Sequence, residues 1–211
     1  MNVDTVNKRP TAASTTNVQP SVLANIYQST NIAIWPRKLP LAFISDLEQL
    51  LASEANLSIV ERVSPHSAAD QLKSKLSDFA CAEELSEDIA LLVDMFCCLF
   101  GRQEAGLRLT TLSKPMCPNF HVDHIPVRLV TTYLGTATQW LEDDNVKRER
   151  LGTGNPSDEV FAYTDIQQMQ PGDVALLKGS GWEGNEHHGL VHRSPQNRQG
   201  ERRLLLTQDC I

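Results

Sequence analysis

The residues best suited to chemistry are His121 and Asp123 within Phe120-His121-Val122-Asp123-His124. On an extended strand, residues two apart project from the same face. The pair then presents an imidazole and a carboxylate side by side, enough for two coordination positions of a divalent metal. A third ligand must come from elsewhere, and His187, His188 and His192 are available in the C-terminal part. His124 falls on the opposite face of a regular strand, as a surface group or a support for the ligands. His66 stands at a helix start and reads as structural.

These residues need a frame, and the apolar pattern supplies one. Residues 1–28 are polar and rich in Thr, Ser and Asn, which predicts a disordered tail. Residues 29–211 form one domain, with a helical brace over 29–105 and a β core over 106–211. Asn31 to Trp35 predicts an edge strand stopped by Pro36. Leu41 to Ala55 carries Phe43, Leu47, Leu50 and Leu51 at helical spacing, and Ser67 to Phe79 carries Ala68, Leu72 and Leu76. A third helix begins at Ser86 as its cap, shows Ile89, Leu92, Val93, Phe96 and Phe100 as its stripe, and ends near Gly101. Leu91, Met95 and Leu99 widen that stripe, so burial on more than one side is expected.

Near Gly106 the period changes from 3.6 to 2. Short strands are predicted over 107–112, 120–123, 127–134, 138–141, 160–163, 173–178, 189–192 and 203–208, with Gly, Pro, Asn and Asp between them. So many short strands predict a sandwich or jelly roll rather than alternating β and α units. Glu142 to Asp158 reads as a long polar loop.

Composition narrows the partners. Net charge is −7 with no basic cluster interleaved with aromatics, which argues against nucleic acid. No apolar run reaches membrane length, and the first residues lack the apolar core of a signal peptide. Five cysteines, an odd number without a CxxC pair, suit free thiols in a reducing cytoplasm. The expected partner is a small-molecule or protein side-chain substrate.

Two imidazoles and one carboxylate on one side of a metal leave its other side open, which suits Fe(II) that must also bind a cosubstrate. His121, Asp123 and His192 provide that set, and Arg202-Arg203 follow ten or eleven residues later. A guanidinium there can take a carboxylate in a two-pronged bond. His-x-Asp, the strand ending at Tyr133-Leu134, Pro171-Gly172-Asp173, His192-Arg193-Ser194-Pro195 and Arg202-Arg203 occur in an order that resembles the Fe(II)- and 2-oxoglutarate-dependent oxygenases. The resemblance covers about Leu107 to Asp209. More narrowly, the chain after the tail resembles an uncharacterised bacterial family known only as a domain of unknown function.

The resemblance implies an α+β fold, N-terminal helices packed on a C-terminal double-stranded β-helix. It implies His121, Asp123 and His192 as metal ligands and Arg203 or Arg202 as the anchor for 2-oxoglutarate. Strand alternation favours Arg203, which shares its face with Thr207, while Arg202 shares a face with Leu204 and Leu206. Tyr133 can donate to the same cosubstrate, or sit in the core with its hydroxyl satisfied. The rival reading is a cupin-like protein that holds a metal such as Zn(II) without catalysis. Cys117, close to His-x-Asp, is the thiol that would favour zinc.

Overall fold

The computed structural model describes residues 18–151 and 166–211. In chain order its strands are β1 (Ile32–Trp35), β2 (Ser58–Val63), β3 (Ala105–Leu112), β4 (Val127–Leu134), β5 (Gln139–Leu141), β6 (Ile166–Gln168), β7 (Val174–Lys178), β8 (Val191–Arg193) and β9 (Arg203–Cys210). The helices are α1 (Leu41–Ala52), α2 (Ala68–Lys75) and α3 (Ala82–Phe100). A six-stranded sheet runs β1-β7-β4-β9-β3-β2 and a smaller one runs β6-β5-β8, every pairing antiparallel.

Period-two alternation sorts the large sheet into two faces. Leu107, Leu109, Leu129, Leu176, Leu204 and Leu206 pack in one apolar cluster with Phe43, Leu47 and Leu50 of α1 and Ile89, Leu92 and Phe96 of α3. Val130, Ala175, Leu177 and Leu205 point the other way, against Ala137, Met169, Leu190 and Trp140. That second cluster fills the space between the sheets. The fold is α+β, a double-stranded β-helix with helices bracing one sheet. Each fully buried aliphatic side chain in these clusters contributes about 1.5–3 kcal/mol.

Several sequence expectations shift. The ordered chain starts before residue 29, because Pro20–Tyr27 forms a 3-10 helix. Leu23 and Ile26, three apart, fall on one buried face of it. Strand β2 was not anticipated, since Glu61 and Arg62 mask its pattern; Ile59 and Val63 are its buried positions. Ser86 does not cap α3. The helix begins four residues earlier, Glu83 and Glu84 fill its first turn, and the Ser86 hydroxyl donates back to the Ala82 carbonyl. Of the residues expected to widen the α3 stripe, Met95 and Leu99 pack against the core, whereas Leu91 is 49% exposed. Residues 120–123 make a single bridge rather than a strand. The strand expected over 160–163 lies outside the described residues.

Candidate metal centre

The backbone puts the two histidines opposite each other. His121 N–H donates to the His192 carbonyl and His192 N–H to that of His121, both at 3.0 Å. Directly paired residues in an antiparallel bridge project to the same side, and Asp123 follows two positions later. One potential ligand atom from each of His121, Asp123 and His192 therefore lies within 4.8 Å of the others. The ring centroids are 4.6 Å apart.

The ring tautomers follow from the neighbours. Nδ1 of His121 is 3.0 Å from the Asn119 carbonyl, and Nδ1 of His192 is 3.1 Å from that of Leu190. A carbonyl only accepts, so Nδ1 carries a proton in both rings, and each Nε2 presents its lone pair when its ring is neutral. The Nε2 atoms stand 3.7 and 3.5 Å from the two Asp123 oxygens. First-row metal–nitrogen bonds are about 2.1 Å, so a small contraction brings all three groups onto one ion. The set of two nitrogens and one oxygen on one side fits Fe(II).

Electrostatics ready the set unevenly. Burial raises the Asp123 carboxyl, but a hydrogen bond from His121 and the charges of His192 and Arg128 outweigh it and hold the group at about 2. Burial pushes His192 down to about 4. His121 moves up, chiefly through its hydrogen bond to Asp123.

Neighbours that the sequence did not single out fix the His-x-Asp segment. Ser180 N–H donates to the Asp123 carbonyl at 2.9 Å, and Gly179 N–H to that of Pro126 at 2.9 Å. A Cβ on Gly179 would stand 2.0 Å from the Ile125 carbonyl oxygen and 2.5 Å from that of Asp123, so only glycine permits this approach. Arg128 donates from Nη1 to Asp123 Oδ2 at 2.8 Å and grips Asp209 with Nε and Nη2, both at 2.8 Å. The Gly-rich run Ser180 to Leu190 was visible in sequence, as a loop or the mouth of the site, but Gly179 was not singled out.

Arg203 is fully buried. It lies on the inter-sheet face, since Leu204 and Leu206 belong to the helix-side cluster and Leu205 to the other. Its Nη1 has one long contact, 3.4 Å to Ser194 Oγ, while Nε and Nη2 have no partner among the described residues. Thr132 Oγ1, buried on the same face, is also unpartnered. Gly135, at φ +87°, makes room, for a Cβ there would meet Arg203 Cγ at 2.6 Å. An unpaired buried ion costs on the order of several kcal/mol, and an anion brought to this guanidinium would offset that cost.

Two of the residues expected beside the cosubstrate point elsewhere. Arg202 turns to the end of α1, donating to the Leu51 carbonyl at 3.0 Å and the Ala55 carbonyl at 2.7 Å. There it joins Glu54 N–H on the Leu51 carbonyl and Thr111 Oγ1 on that of Ala55. Tyr133 faces the helices and donates to Asp88 Oδ2 at 2.6 Å, beside the Arg37–Asp88 pair. Strand β4 is buried on both faces, which hid that orientation in the sequence. His187 and His188 are exposed, and His188 contacts Asp143 instead of the triad. His124 pairs with Ser180 Oγ at 2.9 Å. Cys117 is exposed, and its thiol is not among the clustered ligand groups. Trp140 lies opposite His192 between the sheets, whereas Trp182 stacks with Tyr27 and Phe100.

The family described as "Protein of unknown function (DUF1826)" matches residues 17–209. The chain belongs to the DUF1826 family. No curated protein matches it. Among solved structures it is similar to the dioxygenase for auxin oxidation 1 from Arabidopsis thaliana, at 9% identity over 89% of this chain and 85% of that one, with a TM-score of 0.51. It is also similar to the dioxygenase for auxin oxidation from rice, at 9% identity over 89% and 75% with a TM-score of 0.48. A prolyl-4-hydroxylase from Pseudomonas putida matches at 12% identity over 90% and 96%, with a TM-score of 0.43. The first of these carries the fold likeness: this DUF1826 chain shares the double-stranded β-helix of an oxygenase. Among the described residues no helix is long and apolar enough to cross a membrane.

Proposed function

We propose that the protein is an Fe(II)- and 2-oxoglutarate-dependent oxygenase that hydroxylates a small-molecule or protein side-chain substrate. The observation that carries this reading is Arg203, fully buried beside the triad's strand with Nε and Nη2 unpartnered among the described residues. A site that only stored metal has no use for such a group. The structurally similar Arabidopsis dioxygenase was solved as a complex with 2-oxoglutarate, which supports the same cosubstrate here.

In this reading His121, Asp123 and His192 hold the metal from one side. When bound, Fe(II) and 2-oxoglutarate with dioxygen supply oxidative decarboxylation to succinate and CO2, coupled to insertion of one oxygen atom into a substrate C–H bond. Arg203 takes the distal carboxylate of 2-oxoglutarate with its free N–H groups. Thr132, on the neighbouring strand, and Ser194, just after β8 of the smaller sheet, offer hydroxyls nearby. The apolar lining of Val130, Ala175, Leu177 and Leu205 keeps bulk water from that carboxylate, which strengthens its pairing with Arg203.

The test is succinate formation from 2-oxoglutarate by protein loaded with Fe(II), with Arg203→Met and Arg202→Met beside the wild type. The reading expects turnover in the wild type and in Arg202→Met, and its loss in Arg203→Met. Zinc retained on purification, with no succinate under any metal, would establish the metal-binding module instead.

A further inference from the structure

Arg128 is half-buried and belongs to neither the ligand set nor the cosubstrate pocket. We propose that it is a positioning residue that confines Asp123 to one-oxygen ligation. The proposal rests on the metal reading above and adds a role to it. One guanidinium spans two carboxylates: Nη1 to Asp123 Oδ2, and the Nε/Nη2 edge to both oxygens of Asp209, all at 2.8 Å.

The two ends of this bridge do different work. A two-pronged arginine–carboxylate bond fixes the plane of the guanidinium, and Arg128 and Asp209 are register partners across β4 and β9. Nη1 is thereby held at one place and captures Oδ2. Oδ1, 3.7 Å from His121 Nε2, remains for the metal, while the held Oδ2 lies 3.5 Å from His192 Nε2. Without the clamp the carboxylate is free to turn, so that ordering it on the ion costs metal affinity, and both oxygens can reach one ion. Such a carboxylate would take a coordination position that cosubstrate or dioxygen needs. Asp209 also balances the Arg128 charge, so the clamp adds no net positive charge beside the metal. Outer groups that orient ligands in this way are each worth about 10–100-fold in metal affinity.

The test uses Co(II) binding to the full chain, followed by its visible absorption, in the wild type, His121→Ala, Arg128→Met, Arg128→Lys and Asp209→Asn. The thermal midpoint of each metal-free protein is read in parallel. The proposal expects Arg128→Met to weaken Co(II) by about 10–100-fold and to change the shape of its absorption band. It expects Arg128→Lys, which can reach Asp123 but cannot fork to Asp209, and Asp209→Asn to fall between. Unchanged Co(II) affinity and spectrum in Arg128→Met and Asp209→Asn, with only a lower thermal midpoint, would make Arg128 a structural ion pair and overturn the proposal. Tighter Co(II) binding in Arg128→Met would overturn it too, since Arg128 would then compete with the metal. A wild type that binds no Co(II), or binds as His121→Ala does, would sink the metal reading and the clamp with it.

Discussion

At the scale of single residues, the site depends on which atoms carry protons. Burial holds His192 neutral down to about 4, against the ordinary 6.5, while the Asp123 contact raises His121. Between those two values the metal-free protein therefore carries one proton on the histidine pair, at His121. Metal ligation needs both imidazoles neutral. Binding a divalent metal at a pH midway between about 4 and 6.5 should then release close to one proton, and affinity should rise as pH climbs through the His121 titration. Calorimetry in buffers of different ionisation heat counts that proton. Release of nearly two would mean that both rings behave as free histidines. The choice between Arg202 and Arg203 belongs to this scale as well. Strand alternation pointed to Arg203 because Leu204 and Leu206 claim the opposite face, and the structure has Arg203 between the sheets.

At the scale of elements, His-x-Asp was legible because its spacing matches the two-residue period. His192 became its partner through one antiparallel bridge. The supports were not legible. Arg128 meets Asp209 eighty-one positions away, and Gly179 meets Asp123 through backbone alone. Neither contact follows from any local pattern, because both depend on the register of elements distant in sequence. Gly179→Ala tests the loop contact. Its Cβ must push the Ile125 and Asp123 carbonyls away, so Co(II) affinity should fall at least about tenfold, as for other groups that orient ligands. Retained affinity measured by titration would show that the Asp123 segment does not rely on this approach. Tyr133 shows the opposite limit. Its strand is buried on both faces, so a pattern of apolar residues could not say which side its hydroxyl served.

At the scale of the whole molecule, the helical brace and the site lie on opposite faces of one sheet. Tyr133, Asp88 and Arg37 tie β4, α3 and the segment after β1 together on the brace side. Tyr133→Phe removes a hydrogen bond to a charged group, which is worth about 1.5–3 kcal/mol. Denaturant unfolding should show that loss, while metal binding and succinate formation stay at the wild-type level. Lost cosubstrate affinity in a stably folded Tyr133→Phe would return the tyrosine to the site. The change of period at Gly106 correctly announced the jelly roll. It did not announce that Pro20–Tyr27 belongs to the same body, nor that the edge strand β1 pairs with β7 across more than a hundred residues. The most direct test of the central claim is a crystal structure of the protein soaked with Mn(II) and 2-oxoglutarate. The account predicts one metal ion bonded to His121 Nε2, one oxygen of Asp123 and His192 Nε2, with the distal carboxylate of 2-oxoglutarate paired to Arg203. A metal bound elsewhere, or an Arg203 left facing only Ser194 while 2-oxoglutarate binds at another place, would contradict it.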